Sequence, residues 1–323
     1  MKSLELNPLI HVLNELETRS CLIEQQGNMI MNYYREPQIA NELYKINSCT
    51  KSVISALVCI AMDQQRGPKP ETPILEFFPQ LATDSDSRKR DITIEHLLTM
   101  SAGFNWTEFG GQNSFPTMSK TSDWVQFVLS QPLSDVPGTR MEYSSGCSQL
   151  LATILRNVSG QTVAEFAEQQ LFQPLGIESY HWETDPQGTH TGGFGLHLRP
   201  MDMLKFGRLY LNEGGWEGRQ IIQTETVRYS TRPFLPAAKP QKAFYGWHWW
   251  TSSFSDETET GNEREYFYAL GFGGQYIVVV PSYDMVVVVT ADKFKKKRAP
   301  VDIFRQYIVP LLLQQNGRNR YRS

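Results

Sequence analysis

The sequence predicts an α/β (α+β) protein. An antiparallel sheet is built from both ends of the chain and flanked by terminal helices, and a mostly helical lobe is inserted between its two halves. Three observations predict this. Strand-like patterns occur near the N-terminus and again after Pro240, the stretch from about 70 to 235 reads as helices joined by Pro/Gly-rich loops, and one segment, Val53 to Met62, is apolar on nearly every face. The sheet lobe accordingly takes residues 1–45 and 236–323, and the helical lobe residues 46–235, the two forming one continuous unit.

The elements follow in order. The first twenty residues carry Glu5, Glu15 and Glu17 and no long apolar core, so they read as a short amphipathic helix and not as a secretory signal. Residues 20–35 alternate in character around Gly27-Asn28, the pattern of a β-hairpin. Asn47-Ser48 then opens a helix that is buried all round and ends at Gly67-Pro68. Further helices are expected over Thr93 to Met100, with Thr93 as its cap, and over Ser122 to Ser130, Ser148 to Val158 and Met201 to Leu211. Long loops bearing Phe104, Trp106, Phe109 and Phe115 suit the rim of a binding site. Four strands are expected over Phe244 to Thr251, Arg264 to Leu270, Gln275 to Val280 and Met285 to Thr290, the last two joined by a turn at Pro281 to Asp284. A helix from about Pro300 to Gln314 closes the chain, and no repeat, linker or low-complexity tract is visible.

Composition narrows the function. A net charge of -3 gives no electrostatic reason to expect nucleic acid, and the basic run Lys295 to Arg298 reads as a solvated turn. No apolar stretch approaches the roughly 18 residues a membrane span needs. The four cysteines, Cys21, Cys49, Cys59 and Cys147, lack C-x-x-C spacing and read as free thiols, so a cytoplasmic location is expected.

The chemistry centres on Ser48-Cys49-Thr50-Lys51. A three-residue spacing at the head of a helix puts serine and lysine on one face of its first turn. The helix N-terminus offers unpaired N–H groups where an alkoxide or oxyanion would form. A lysine held at the start of a buried helix loses part of its preference for charge, which suits a general base. A capped helix start with a surface lysine is the competing reading of these residues alone.

The order of further segments resembles one family. After Ser48-x-x-Lys51 come EHLLTMSAGF (Glu95 to Phe104), PGTRMEYSSGCSQLLATIL (Pro137 to Leu155), FQPLGI (Phe172 to Ile177), the segment Gly192 to Ile222, and GFGGQ (Gly271 to Gln275). These are similar to landmarks of the serine β-lactamase-like hydrolases (class C β-lactamase and penicillin-binding protein-like), nearest to their esterase and amidase members. The resemblance covers about residues 40–290. It implies the β-lactamase/transpeptidase-like fold and acyl transfer through an ester on Ser48, with Lys51 and Tyr143 sharing the proton work. The backbone N–H groups of Ser48 and Gln275 would form the oxyanion hole, and Ser145, Phe272, Gly273 and Gly274 would contact substrate. No metal or organic cofactor is implied.

Two departures bear on substrate. Where the family has an amide-bearing asparagine two residues after the tyrosine, this chain has Ser145, and where it has a lysine before T-G, this chain has Phe272. A cation there engages a carboxylate, which phenylalanine cannot do. A neutral small ester or amide is therefore the expected partner, with carboxylesterase-like chemistry ahead. Phe109, Trp182, Tyr245, Trp247 and Trp249 are candidates for the acyl pocket, ordinary core packing being the alternative for each. His96 is expected to be structural, and His190 and His197 lack metal-site company. No H-E-x-x-H, G-x-S-x-G, P-loop or complete G-x-G-x-x-G occurs. Two alternatives stand: a β-lactamase or D-Ala-type peptidase whose carboxylate anchor is Arg140 or Arg199, and a non-catalytic penicillin-binding-like ligand sensor.

Overall fold

The computed structural model describes residues 7–16, 18–65, 67–237, 243–255, 263–292 and 300–313. The basic run Lys295 to Arg298, Pro240 and Gln314 lie outside the described residues.

An eight-stranded antiparallel sheet organises the molecule. Its spatial order runs Asn28–Tyr34, Thr18–Gln25, Met285–Ala291, Gln275–Val280, Glu263–Gly271, Trp250–Ser255, Phe244–Tyr245 and Leu235–Pro236. The N-terminal hairpin thus lies beside the last strand, with Cys21 opposite Val289 and Ile23 opposite Val287. The central strands Gln275–Val280 and Met285–Ala291 are buried along their whole length, which explains their unbroken apolar sequence. Alternation then sorts the side chains. Ile277, Val279, Val286 and Val288 face the helical lobe, whereas Tyr276, Val278, Val287 and Val289 face the terminal helices.

The N-terminal helix Asn7–Glu15 buries Leu9 and Leu13 on that second face. There it meets Ile303, Phe304 and Ile308 of a C-terminal helix that widens to π-type bonding over Phe304–Ile308. On the first face lies the helix Pro200–Leu211, whose Gly207 allows close approach: a Cβ there would come within 2.5 Å of Val286 Cγ1.

The helix Thr50–Asp63 runs through the middle of the inserted lobe and is buried from Thr50 to Ala61. Beside it packs Ser145–Ser159, which starts one turn earlier than its apolar pattern predicts. Ser144 caps it by accepting from the Cys147 N–H at 3.3 Å, so Ser145 falls inside the first helical turn.

The strand expected over Phe244 to Thr251 is two strands. Between them Gly246 to Trp249 turns inward, with His248 at φ +57°. The Ser52 and Ser55 hydroxyls of the central helix donate to the carbonyls of His248 (2.7 Å) and Trp247 (2.8 Å), so this segment bonds to the helix and not to a neighbouring strand. A Cβ on Gly246 would sit 2.6 Å from the Ser230 carbonyl, which restricts the bend to glycine. The helix Thr224–Ser230, absent from the sequence reading, is capped by a remote group. Asp63 at the end of the central helix accepts from the Gln223 N–H (2.7 Å) and the Thr226 hydroxyl (2.6 Å).

All four cysteines are free and buried. Among the described residues no helix is long and apolar enough to cross a membrane.

Candidate active site

Three segments converge at the head of the central helix. Ser48 lies in a 3₁₀ turn, Asn47–Cys49, that runs into Thr50–Asp63 without a side-chain cap, the Cys49 and Thr50 N–H groups donating to the Ile46 and Asn47 carbonyls. Asn47 holds the turn with a positive φ of +49°, a conformation asparagine tolerates better than most residues. The Thr50 hydroxyl donates to the Asn47 carbonyl at 2.7 Å, and the Asn47 amide donates to the Phe272 carbonyl at 2.6 Å. The Ser48 turn is thereby tied to the hairpin that ends the strand Glu263–Gly271.

Lys51 is almost fully enclosed, 1% exposed, one helical turn from Ser48. Its Nζ lies 3.3 Å from Ser48 Oγ, 3.0 Å from Ser145 Oγ and 2.8 Å from the Gly193 carbonyl oxygen. Desolvation lowers its pKa from 10.5 to about 8, against the pull of Glu108 and of the Cys49 and Cys147 sulfurs. Tyr143 brings its ring to 4.8 Å from Lys51 Nζ and its hydroxyl into a hydrogen bond with Ser48. Desolvation, with Glu108 adding to it, raises the phenol well above its ordinary pKa, so Tyr143 keeps its proton. Its ring stacks on Trp250 at 5.7 Å and meets Tyr245 edge-on at 6.2 Å, which fixes its direction.

Two participants escaped the sequence reading. Gly193 reaches Lys51 because the short strand Leu196–Leu198 pairs with Tyr44–Lys45 just before Ser48, and the Ile46 N–H donates to the Leu196 carbonyl at 2.9 Å. A Cβ on Gly193 would lie 2.9 Å from Ser145 Oγ and 3.1 Å from Lys51 Nζ, so any larger residue would push these two groups aside. Glu108, from the loop after the helix Ile94–Leu98, accepts the Trp106 indole N–H (2.9 Å), the Ser145 backbone N–H (2.9 Å) and the Ser145 hydroxyl. Loop composition alone gives no sign of either contact.

The remaining residues fall as follows. Ser145 is 3% exposed, its hydroxyl engaged by Lys51 and Glu108. Phe272, Gly273 and Gly274 form the tight loop between strands that pair Gly271 with Gln275, and Gly273 and Gly274 take φ of +80° and +103°. The two glycines satisfy the turn, while Phe272 stands 68% exposed at its tip. Phe109, 76% exposed, faces it from the helical lobe with ring centroids 6.4 Å apart. Gln275 is buried. Its side-chain amide donates to the Ala291 carbonyl at 2.7 Å, and its backbone carbonyl accepts from the Cys49 thiol at 3.5 Å, which sets this strand end against the Ser48 turn.

Trp182, Tyr245, Trp247 and Trp249 are buried core residues, Tyr245 alone among them touching Tyr143. His96 completes a capping box with Thr93. Arg140 is paired with Asp135 and Glu142, and Arg199 with Asp202. His190 and His197 join no metal-binding group of three or more ligands among the described residues.

Residues 25–308 match the family model described as Beta-lactamase. The chain belongs to the beta-lactamase family. Within the wider circle of this family it is similar to the D-alanyl-D-alanine-carboxypeptidase/endopeptidase AmpH of Escherichia coli K12, at 23% identity over 220 residues, 61% of this chain and 56% of that one. The chain therefore spans little more than half the length of that relative. It is 22% identical over 297 residues to a 6-aminohexanoate-dimer hydrolase of Paenarthrobacter ureafaciens, covering 85% of this chain and 73% of the relative. In fold it is similar to a putative 6-aminohexanoate-dimer hydrolase from Bacillus anthracis, with a TM-score of 0.79 at 20% identity, covering 95% of this chain and 82% of that one. The beta-lactamase family is one of hydrolases, with esterase, amidase and peptidase members.

Proposed function

We propose that the protein is a serine hydrolase that cleaves an ester or amide through a covalent acyl–Ser48 intermediate, acting in the manner of a carboxylesterase on a neutral small molecule. The observation that carries this is the approach of a buried, partly neutral Lys51 amine to within 3.3 Å of Ser48 Oγ. A lysine that titrates near 8 holds about a tenth of its population as free amine at pH 7, enough to take the serine proton.

Ser48 Oγ attacks the substrate carbonyl as its proton passes to Lys51. The backbone N–H groups of Ser48 and Gln275 receive the oxyanion. Tyr143 then donates its proton to the departing alcohol or amine and is reprotonated from Lys51. Its raised pKa makes it a proton donor and relay, not a standing phenolate base. Water attacks the acyl ester, and the same groups run the transfer in reverse, releasing the acid and free Ser48.

The choice of a neutral substrate rests on the rim. The position expected to hold a carboxylate-binding cation is Phe272, whose ring pairs with Phe109 across the mouth of the site. Arg140 and Arg199, the other candidate anchors, are engaged by carboxylates of the chain itself.

The test is intact-protein mass after incubation with a fluorophosphonate, together with turnover of p-nitrophenyl butyrate, for wild type and Ser48→Ala. One adduct and ester turnover, both absent from the variant, are expected. No adduct and no turnover in the wild type would leave a ligand-binding protein as the better reading.

A further inference from the structure

The donors and acceptors around Lys51 form a closed set, and their order has a consequence for the base. A neutral lysine nitrogen carries two N–H bonds and one lone pair, and only the lone pair can take the Ser48 proton. Two of the three groups around Nζ must therefore accept from it and leave the third direction, toward Ser48, for the lone pair. The Gly193 carbonyl is an acceptor only. Ser145 is not, because a hydroxyl can donate or accept. Turned the wrong way, it would donate into the lysine lone pair and quench the base.

Glu108 removes that freedom. Its carboxylate can only accept, and it is held in place by the Trp106 indole and the Ser145 backbone N–H, both at 2.9 Å. The single proton of the Ser145 hydroxyl goes to Glu108 Oε1, so only its lone pairs are left to face Lys51 Nζ at 3.0 Å. We infer that Glu108 is a positioning residue that locks the Ser145 hydroxyl as an acceptor, and so aims the Lys51 lone pair at Ser48. This deepens the serine-hydrolase reading and rests on it. Nothing in the loop obliges an acid at this position for folding: Glu108 is partly exposed, and its carboxylate accepts from no group beyond Trp106 and Ser145 among the described residues.

Glu108→Gln breaks the lock. With its amide oxygen on the Trp106 and Ser145 N–H groups, the glutamine presents its NH2 to Ser145 Oγ, which must then accept and turn its own proton toward Lys51 Nζ; in the other orientation the NH2 opposes the two N–H groups. The negative charge that holds a proton on Lys51 is lost as well. Two effects are expected on the rate at which a fluorophosphonate labels Ser48, followed by mass from pH 6 to 9. The plateau falls at least ten-fold, and the rising limb, set by Lys51 near 8, moves down by about one pH unit or more. The other titratable groups around Lys51 are Tyr143, Cys49, Cys147 and His248. The first three are kept protonated by burial and His248 is pushed down to about 3, so none of them contributes a limb in that range.

Ser145→Ala, with Glu108 intact, removes the link from the other side. It should lower the plateau to a similar extent, and adding Glu108→Gln to it should cost much less than Glu108→Gln does alone. A wild-type limb and plateau in Glu108→Gln, or full additivity with Ser145→Ala, would overturn the inference while the hydrolase reading stands. Absence of labelling in the wild type would overturn both. Should Glu108→Gln not fold, wild-type labelling in Ser145→Ala alone decides against the lock.

Discussion

Replacing the buried base by an apolar side chain of similar length should make the protein inactive and more stable. Lys51→Met keeps an unbranched side chain in the same channel and removes the charge. Folding lowers the Lys51 pKa from 10.5 to about 8, and at about 1.4 kcal/mol per unit this is a penalty of about 3 kcal/mol for enclosing the ammonium. The folded lysine releases its proton near pH 8 and the unfolded one near 10.5. Between these values the unfolded chain binds more protons, and stability rises with pH. The penalty is thus complete below pH 8 and gone above 10.5.

Methionine avoids the penalty but leaves the Gly193 carbonyl without its donor, a loss of about 1–2 kcal/mol. The variant should therefore be more stable at pH 7 by about 1–2 kcal/mol. In a chain of 323 residues this corresponds to a rise in Tm of about 2–3 °C. At pH 10 less than about 1 kcal/mol of the penalty remains, and the variant should be equal to or less stable than wild type. Urea unfolding followed by tryptophan fluorescence at the two pH values measures both differences, since every other titrating group is common to the pair. A variant less stable than wild type by the same margin at pH 7 and pH 10 would show that Lys51 carries no desolvation penalty, and would refute the reasoning behind its role as a base.

Tyr143→Phe should lower kcat by about 10²–10⁴ with little change in KM, and the loss should be larger for ethyl butyrate than for p-nitrophenyl butyrate, whose leaving group needs less protonation. Equal losses for the two esters would count against proton donation by Tyr143. Gly193→Ala places a methyl group 2.9 Å from Ser145 Oγ and 3.1 Å from Lys51 Nζ, displacing the amine from Ser48. A fall in kcat of about ten- to a hundred-fold with Tm within a few degrees of wild type is expected, and an unchanged kcat would show that the amine is not held there.

The parts of the fold that were legible share a physical cause. The hairpin around Gly27-Asn28, the all-apolar helix from Val53 and the valine-rich strands each bury a face that their own period announces. The closeness of Ser48 and Lys51 was legible because three-residue spacing at a helix start is a local geometric fact. What the sequence hid depends on partners far away in the chain. Asp63 caps a helix some 160 residues on, the serines of the central helix break the strand expected at 244–251, and Glu108 reaches Ser145 across 37 residues. Ser145 was expected to contact substrate on the strength of the resemblance alone; its place inside a first helical turn was hidden because the Ser144 cap was not apparent. Phe109 and Phe272, which the sequence places in different lobes, meet only because the cleft brings two loops face to face.

The placing of the first hairpin next to the last strand governs how the chain can mature. Ser20 and Thr290 hydrogen-bond across the sheet although 270 residues separate them. During synthesis the hairpin is made long before its partner strand, and the edge of Thr18–Gln25 stays open until Met285–Ala291 follows. Closure over so long a loop makes folding slow, and a nascent chain stopped short of Met285 has neither a finished sheet nor a strand end braced against Ser48.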